Sequence, residues 1–444
     1  MSKIGRNTLL LASLCSLAWQ APMAQSKSTG NDNEDQLKMV VILSRHGVRS
    51  PTWAQDRLDS YSALPWPKWS VPPGDLTSRG YELVKQFGSF DRTALAGAGI
   101  LAAQGCEDAS KTYIWADTDQ RTIASGRALA DGLFPACPPQ VHSLAAGEND
   151  PLFHPTADGV KPAQADAAFA EFAIRTKQQT VALTGAWQLE LLEAMQHVLL
   201  ACEPKIACTP ARTPEKPLLG VATSPVRGKG DRIVDLEGPL PQGSSFSEDL
   251  LLEYADGMPM DQVGWGKVDE PQLRKFLALH SDYFDLMHRT PVLARLEASN
   301  MLFHIARTLQ QGVERKPVAN AIGPIDSKLV IFAGHDTNIA GVAALLGVHW
   351  TLDGRDDDTP PGTQLAFELW QKQNGTYFVR VTVAMQTLRQ LRDIPAVTPA
   401  APPARATLTL PGCGVKTSAC EWDKFLQLAD TAIDTSAIVP PQPN

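Results

Sequence analysis

Two short stretches bring together residue types that could do chemistry. One is Arg45-His46-Gly47-Val48-Arg49-Ser50-Pro51; the other is Gly334-His335-Asp336-Thr337-Asn338. Two guanidiniums around one imidazole suggest an anion held against a nucleophile. Arginine grips phosphate oxygens through bidentate, charge-assisted bonds, and imidazole can attack phosphorus. Arg121, in Asp117-Thr118-Asp119-Gln120-Arg121-Thr122, offers a third guanidinium. An arginine in the first turn of a helix opposes the macrodipole, so a bound anion or an acidic partner is expected beside it. Asp336 could protonate a leaving oxygen and later accept a proton from water. His335 could donate to a phosphate oxygen. Taken singly, each residue has a plainer reading: His46 as a surface histidine in a basic turn, Asp117 or Asp119 as a helix cap. An excess of arginine argues against a metal in such a site.

These groups need elements to position them, and the same pattern occurs three times: strand, charged loop, helix. The apolar, β-branched run 39–43 reads as a strand buried on both faces. It stops at Arg45-His46, where Gly47 and Pro51 cannot continue it. A helix is expected to open at Leu76-Thr77-Ser78-Arg79-Gly80 and run towards Phe90. A second strand at 112–115 breaks into the Asp117–Arg121 segment, followed by a helix through about Leu129. The third repeat is a strand at 328–333, the Gly334-His335-Asp336 break and a helix at 339–346. In open α/β sheets, ligands gather beyond the carboxyl ends of the strands. If the strands are parallel neighbours, all three charged loops meet at one edge.

Between these parts the signals turn helical. Apolar residues recur at three- and four-residue spacing over 163–179, 187–200, 272–286 and 293–309. Residues 209–228 look irregular, and the Pro- and Trp-rich stretch 65–73 cannot be regular structure. Further strands are expected at 364–370 and 377–384, with the Pro/Ala-rich segment 394–406 skirting the surface. The fold class is therefore α/β, with a central, mostly parallel sheet and an inserted, mainly helical domain. The expected division is 1–25, a signal peptide; 26–160, the first part of the α/β domain; 161–315, the helical domain; and 316–444, the second part of the α/β domain.

The chain has 444 residues and a formal net charge of −8. An acidic chain of this length argues against a nucleic-acid partner, which needs a basic footprint. Lys3 and Arg6 precede the apolar run 9–19, and small residues follow at Ala21 and Ala24. That is a secretory signal pattern, too short to span a membrane. Export to the periplasm or beyond is expected, with no membrane partner. Removing Cys15 with the signal leaves six cysteines. Six allow fifteen pairings, and adjacency favours Cys106 with Cys137, Cys202 with Cys208, and Cys413 with Cys420. None of these has the CxxC spacing of a metal site.

The motif Arg45-His46-Gly47-Val48-Arg49-Ser50-Pro51 resembles the nucleophile motif of the histidine acid phosphatases, and Gly334-His335-Asp336 resembles their distant His-Asp pair. The similarity takes in Leu76–Gly80, Asp117–Arg121, Gly257-Met258-Pro259, Pro360-Pro361-Gly362 and Leu388-Arg389-Gln390-Leu391-Arg392. Within that family the chain resembles the periplasmic bacterial phytases and glucose-1-phosphatases. The resemblance implies a phosphoglycerate-mutase-like α/β domain beside a helical one, and the same three disulfides. It implies hydrolysis of phosphomonoesters, phytate or sugar phosphates, through a covalent phosphohistidine, without a cofactor. His46 would be the nucleophile and Asp336 the proton donor, with Arg45, Arg49, Arg121 and His335 on the phosphate.

For the rest of the substrate, the resemblance points to Thr52, Trp53, Asp117, Glu248 and Arg289. Thr52 and Arg289 look like the phytases, whereas Trp53 stands where those tend to carry lysine. Residues 65–73, 260–263 and 423–425 look more like the glucose-1-phosphatases, so a sugar phosphatase with little phytase activity stays open. A mutase of the same superfamily and a metal-dependent His-Asp phosphohydrolase fit less well. A periplasmic phosphate-ester binding protein would need neither His46 nor Asp336. A monomer or weak homodimer and an acidic optimum are expected.

Overall fold

Residues of the strand that ends at Arg45 alternate between two cores. In the computed structural model this strand, β1 (Gln36–Arg45), turns Met39, Val41 and Leu43 to one core and Val40 and Ile42 to another. A strand buried on both faces must be apolar at consecutive positions, which is why its sequence reads as a continuous run. Full burial of each such side chain is worth roughly 1.5–3 kcal/mol. The structure describes residues 35–440, except 158–159, 184–186, 203–208, 211, 221, 230–231, 395–396 and 415–417. The expected signal peptide, Cys15, residues 26–34 and Cys208 lie outside the described residues.

In chain order, β1 is followed by α1 (Gln55–Asp59), α2 (Ser78–Gly97), β2 (Thr112–Ala116), α3 (Gln120–Leu133) and β3 (Val141–His142). Then come α4 (Pro162–Leu183), α5 (Trp187–Leu199), a hairpin of β4 (Ser224–Arg227) and β5 (Val234–Glu237), α6 (Pro239–Ala255), α7 (Glu270–Arg289) and α8 (Pro291–Glu314). The chain ends through β6 (Leu329–Gly334), α9 (Asp336–Leu345), β7 (Thr351–Leu352), β8 (Arg355–Asp356), β9 (Gln364–Gln371), β10 (Tyr377–Met385), α10 (Leu388–Asp393), β11 (Ala404–Leu408), β12 (Cys420–Glu421) and α11 (Trp422–Ala432). The described residues from Asp35 onward form one compact unit.

The main sheet has the order β11-β10-β9-β1-β6-β2-β3, with β12 also on β10. Strands β1, β6, β2 and β3 are mutually parallel, and β9, β10, β11 and β12 extend the sheet antiparallel. Helices α8 and α9 supply the core on one face. Ala128, Leu129 and Leu133 of α3 cover Ile42, Ile114 and Ile331 on the other. A separate core joins α4 to α7, with Phe172, Met195, Phe246, Leu250 and Phe276 at its centre.

The Leu76–Gly80 motif now has a physical explanation. Thr77 caps α2 by accepting from the Gly80 N–H at 2.9 Å. A Cβ on Gly80 would lie 2.1 Å from the Val48 carbonyl oxygen, so only glycine lets α2 meet the loop after β1. Arg79 donates to the Ala255 carbonyl at 2.7 Å and the Leu391 carbonyl at 3.2 Å, tying α2 to the ends of α6 and α10.

Several expectations shift in detail. The helix from the Leu76 motif runs to Gly97 rather than Phe90. Part of the stretch expected to be irregular forms β4, and the Pro/Ala-rich segment ends in an edge strand, β11. Helix α6 lies outside the four periodic segments read from the sequence. Its opening, Pro239-Leu240-Pro241-Gln242-Gly243-Ser244-Ser245, holds poor helix formers, yet Pro suits the first turn and burial of Phe246, Leu250 and Leu251 holds the rest. Trp66, in the Pro-rich stretch, is buried and stacks on Phe246 with ring centroids 5.6 Å apart. Cys106–Cys137 and Cys413–Cys420 are disulfide-bonded. Cys202 is buried, and its expected partner Cys208 lies outside the described residues.

Candidate active site

Strand register builds the site. Arg45 pairs with Gly334 across β1 and β6, and Ala116 pairs with Ala333 across β2 and β6. The next residue on each strand is therefore His46, His335 and Asp117. Backbone bonds continue the ladders one step further, His46 N–H to the Gly334 carbonyl at 2.9 Å and Asp117 N–H to the Ala333 carbonyl at 3.0 Å. The three charged loops meet at the carboxyl edge of the parallel strands, as expected.

His46 is 2% exposed, and its Nδ1 lies 2.8 Å from the Gly47 carbonyl oxygen. A carbonyl can only accept, so Nδ1 carries the proton and the lone pair falls on Nε2. Burial, then the charges of Arg45, Arg121 and Arg49, hold the imidazole pKa well below its usual value. The ring therefore stays neutral at acidic pH, with the Nε2 lone pair free of a proton.

Arg45 is buried and donates to the Thr359 carbonyl, to Glu248 and to Asp336, the last at 2.8 Å. Arg49 reaches the other oxygen of Glu248 at 3.1 Å. Arg121 lies in the first turn of α3, and its acidic partner is Asp119 at 2.5 Å. Neither Asp117 nor Asp119 caps that helix with its side chain.

His335 is the N-cap residue of α9, and its N–H donates to Asn338 Oδ1 at 3.0 Å. Asp336 opens the helix and accepts from the Thr337 N–H at 2.9 Å. Asp117 is 1% exposed, and its Oδ2 faces His335 Nε2 at 2.6 Å and His154 Nε2 at 2.9 Å. Burial alone would raise its pKa, but bonds from these two histidines outweigh burial and hold the carboxyl well below the usual range.

A pocket of ≈350 Å³ opens over these groups. His46, Arg49, Thr52, Trp53, Arg121, Glu248, His335 and Asp336 all line it. Asp117 sits behind His335 instead of on the wall. Arg289 is a correction. It is buried beside Asp357 at 3.3 Å and donates to the Val348 carbonyl at 3.0 Å, with its guanidinium over Trp350, outside the pocket lining. Helix α7 turns that position towards the β7–β8 hairpin, and His288 and Glu297 face the pocket.

Sequence reading missed His154, Arg232, His280, His288 and Glu297 on the pocket wall. His280, Phe284 and His288 recur at four-residue spacing on α7, a polar-aromatic stripe that periodicity could have flagged. His154 sits in a turn after Asp150 and gives no periodic signal.

An imidazole with its lone pair on Nε2, ringed by three guanidiniums and faced by a carboxyl, can take up a phosphoryl group and assist departure of an alcohol. A family model described as the histidine phosphatase superfamily (branch 2) matches residues 36–384. Phytase AppA of Escherichia coli (strain K12) is 35% identical over 430 residues, covering 95% of this chain and 96% of the relative. A glucose-1-phosphatase of Salmonella typhimurium is 30% identical over 406 residues, covering 89% and 92%. A Hafnia alvei phytase solved with myo-inositol hexakis sulphate superposes with TM-score 0.78 at 33% identity, over 91% of this chain and 99% of that one. The matched span and these identities, with the histidine and arginines at one strand edge, place the chain in the histidine phosphatase superfamily, branch 2, as a hydrolase of phosphomonoesters.

Proposed function

We propose that the protein is an exported acid phosphatase in which His46 Nε2 attacks the phosphorus of a monoester held by Arg45, Arg49, Arg121 and His335. Asp336 protonates the departing oxygen and then draws a proton from water as the phosphohistidine is hydrolysed. The guanidiniums hold the phosphate and offset charge on its equatorial oxygens during transfer. The observation that carries this reading is the bond from His46 Nδ1 to the Gly47 carbonyl, because it fixes the tautomer that attack requires.

The substrates are phytate or sugar monophosphates, the classes named for the relatives. Trp53 and Glu297 on the pocket wall suit a sugar, whereas Arg232 on the same wall suits a further phosphate, so both classes fit the pocket. Export rests on the signal-like N-terminus and on the disulfides. Among the described residues, no helix is long and apolar enough to cross a membrane. A monomer or weak homodimer acting on small esters completes the reading.

A covalent intermediate predicts one partition ratio for every substrate. With methanol present, methyl phosphate and inorganic phosphate should form in the same proportion from aryl, sugar and inositol esters. His46→Ala should form neither. Ratios that vary with the leaving group would overturn the phosphohistidine.

A further inference from the structure

Asp117, His154 and His335 bring one carboxylate and two imidazoles to a single point. One ligand atom from each lies within 4.8 Å of the others, the one such group of three among the described residues. The three come from separate places: the loop after β2, the turn after Asp150 and the start of α9. Both imidazoles turn Nε2 to the same oxygen of Asp117.

Two histidines and one carboxylate with a position left open is a recurrent Zn²⁺ ligand set. Bond lengths of about 2.0–2.2 Å to nitrogen and oxygen put tetrahedral ligand atoms about 3.3 Å apart. The contacts at 2.6 and 2.9 Å would need to open by only about 0.4–0.7 Å to admit the ion. Access exists, because His154 and His335 line the pocket and the His154 side chain is 37% exposed.

Charge does not forbid a cation here. Unopposed arginines would repel a metal, yet Arg45, Arg49 and Arg121 are paired with Glu248, Asp336 and Asp119, and Asp117 adds a fourth carboxylate whose charge reaches Arg121. With neutral imidazoles, the carboxylates outnumber the guanidiniums by one.

We propose that Asp117, His154 and His335 form a binding site for a divalent transition-metal ion of the Zn²⁺ type, and that filling it shuts the enzyme down. The ion would occupy His335, removing it from the phosphate. Its open position would be reached past His154, the exposed member of the three. Binding rests on this geometry alone, whereas shutdown rests on the function proposed above.

The test is a titration of the metal-free full chain with Co²⁺ near neutral pH, followed by Zn²⁺ competition. Hydrolysis of p-nitrophenyl phosphate is followed in parallel, because this substrate does not sequester metal as an inositol polyphosphate would. The wild type should gain visible Co²⁺ absorption bands that Zn²⁺ discharges, and its rate should fall over the same range. His154→Asn, and His154→Gln as a second variant, should bind both ions at least ~10-fold more weakly. Zn²⁺ inhibition, scaled to each variant's own metal-free rate, should weaken in step. Bands that are absent from the wild type, or equal in wild type and both variants, overturn the site. Bands with undiminished hydrolysis overturn the shutdown. A chain with no hydrolase activity fails the proposed function, while the absorption bands still decide the site.

Discussion

The guanidinium of Arg45 is buried against the carboxylate of Glu248. Helix α6 delivers that carboxylate from a distant part of the chain, and its second oxygen reaches Arg49. Burial would raise its pKa, but Arg49 and Arg45 outweigh burial and keep it ionised in acid. A fixed anion therefore sits against two of the groups proposed to grip phosphate. Glu248→Gln should free both guanidiniums and tighten inhibition by inorganic phosphate about tenfold, equivalent to about 1.4 kcal/mol. Leaving two buried cations less compensated should also lower thermal stability. A weaker phosphate inhibition constant in this variant would mean that Glu248 assists the substrate instead of competing with it.

Asp336 keeps one oxygen on the Thr337 N–H and the other on Arg45. Asparagine preserves the size and one of these contacts but cannot protonate an alkoxide. Asp336→Asn should therefore slow sugar phosphates by roughly 10²–10⁴-fold, the range that general acid catalysis supplies. An aryl phosphate, whose leaving group departs without help, should lose much less. Rates on a series of esters of graded leaving-group acidity decide the matter, and an equal loss across the series would remove Asp336 from the acid role.

Trp53 packs edge-on to Phe246 at 5.7 Å, with Arg57 3.5 Å over its ring, and lines the pocket wall. Trp53→Lys would put a mobile cation there. One added charge near a second phosphate is worth about 1 kcal/mol at 4 Å in water, roughly fivefold. The kcat/KM for inositol hexakisphosphate relative to p-nitrophenyl phosphate should rise by about that factor. A ratio that does not move would show that the pocket wall does not select for phosphate number.

The parallel core and its charged edge were legible because buried strands leave continuous apolar runs. Each run, 39–43, 112–115 and 328–333, stopped within two residues of a functional group now placed at the pocket or directly behind it. What could not be read was whatever tertiary packing supplies. Helix α6 carries Glu248, yet opens on proline, glycine and serine, so its first turns owe their form to proline at the start and to burial. His154 reaches Asp117 from an aperiodic turn. Arg289 shows the opposite limit: its resemblance to a pocket residue was local, and the orientation of α7 carried the side chain elsewhere.

Next to Glu248, Asp249 is 6% exposed, and Glu253, one turn on, is fully buried. Burial raises Asp249 from 3.8 to about 8, against a lowering by Arg49, and pushes Glu253 well above its usual value. Glu253 also accepts from the Gly264 N–H at 2.9 Å, which does not reverse the effect of burial. Both acids are protonated in the folded chain at acidic pH. The sign of the linkage follows. The unfolded chain loses the Asp249 proton near 3.8, whereas the folded chain keeps it until about 8. Stability from this group is complete below the unfolded value and is lost as pH rises through the folded one, at most about 1.4 kcal/mol per unit. Through Asp249 the melting temperature should fall between about pH 4 and pH 8, against an opposite contribution at acidic pH from buried, neutral His46. Asp249→Asn cannot ionise, so its melting temperature should fall less over the same range, with its largest gain over the wild type at the alkaline end. Scanning calorimetry of both proteins across that range checks this. Parallel curves would mean that Asp249 is already ionised in the folded chain.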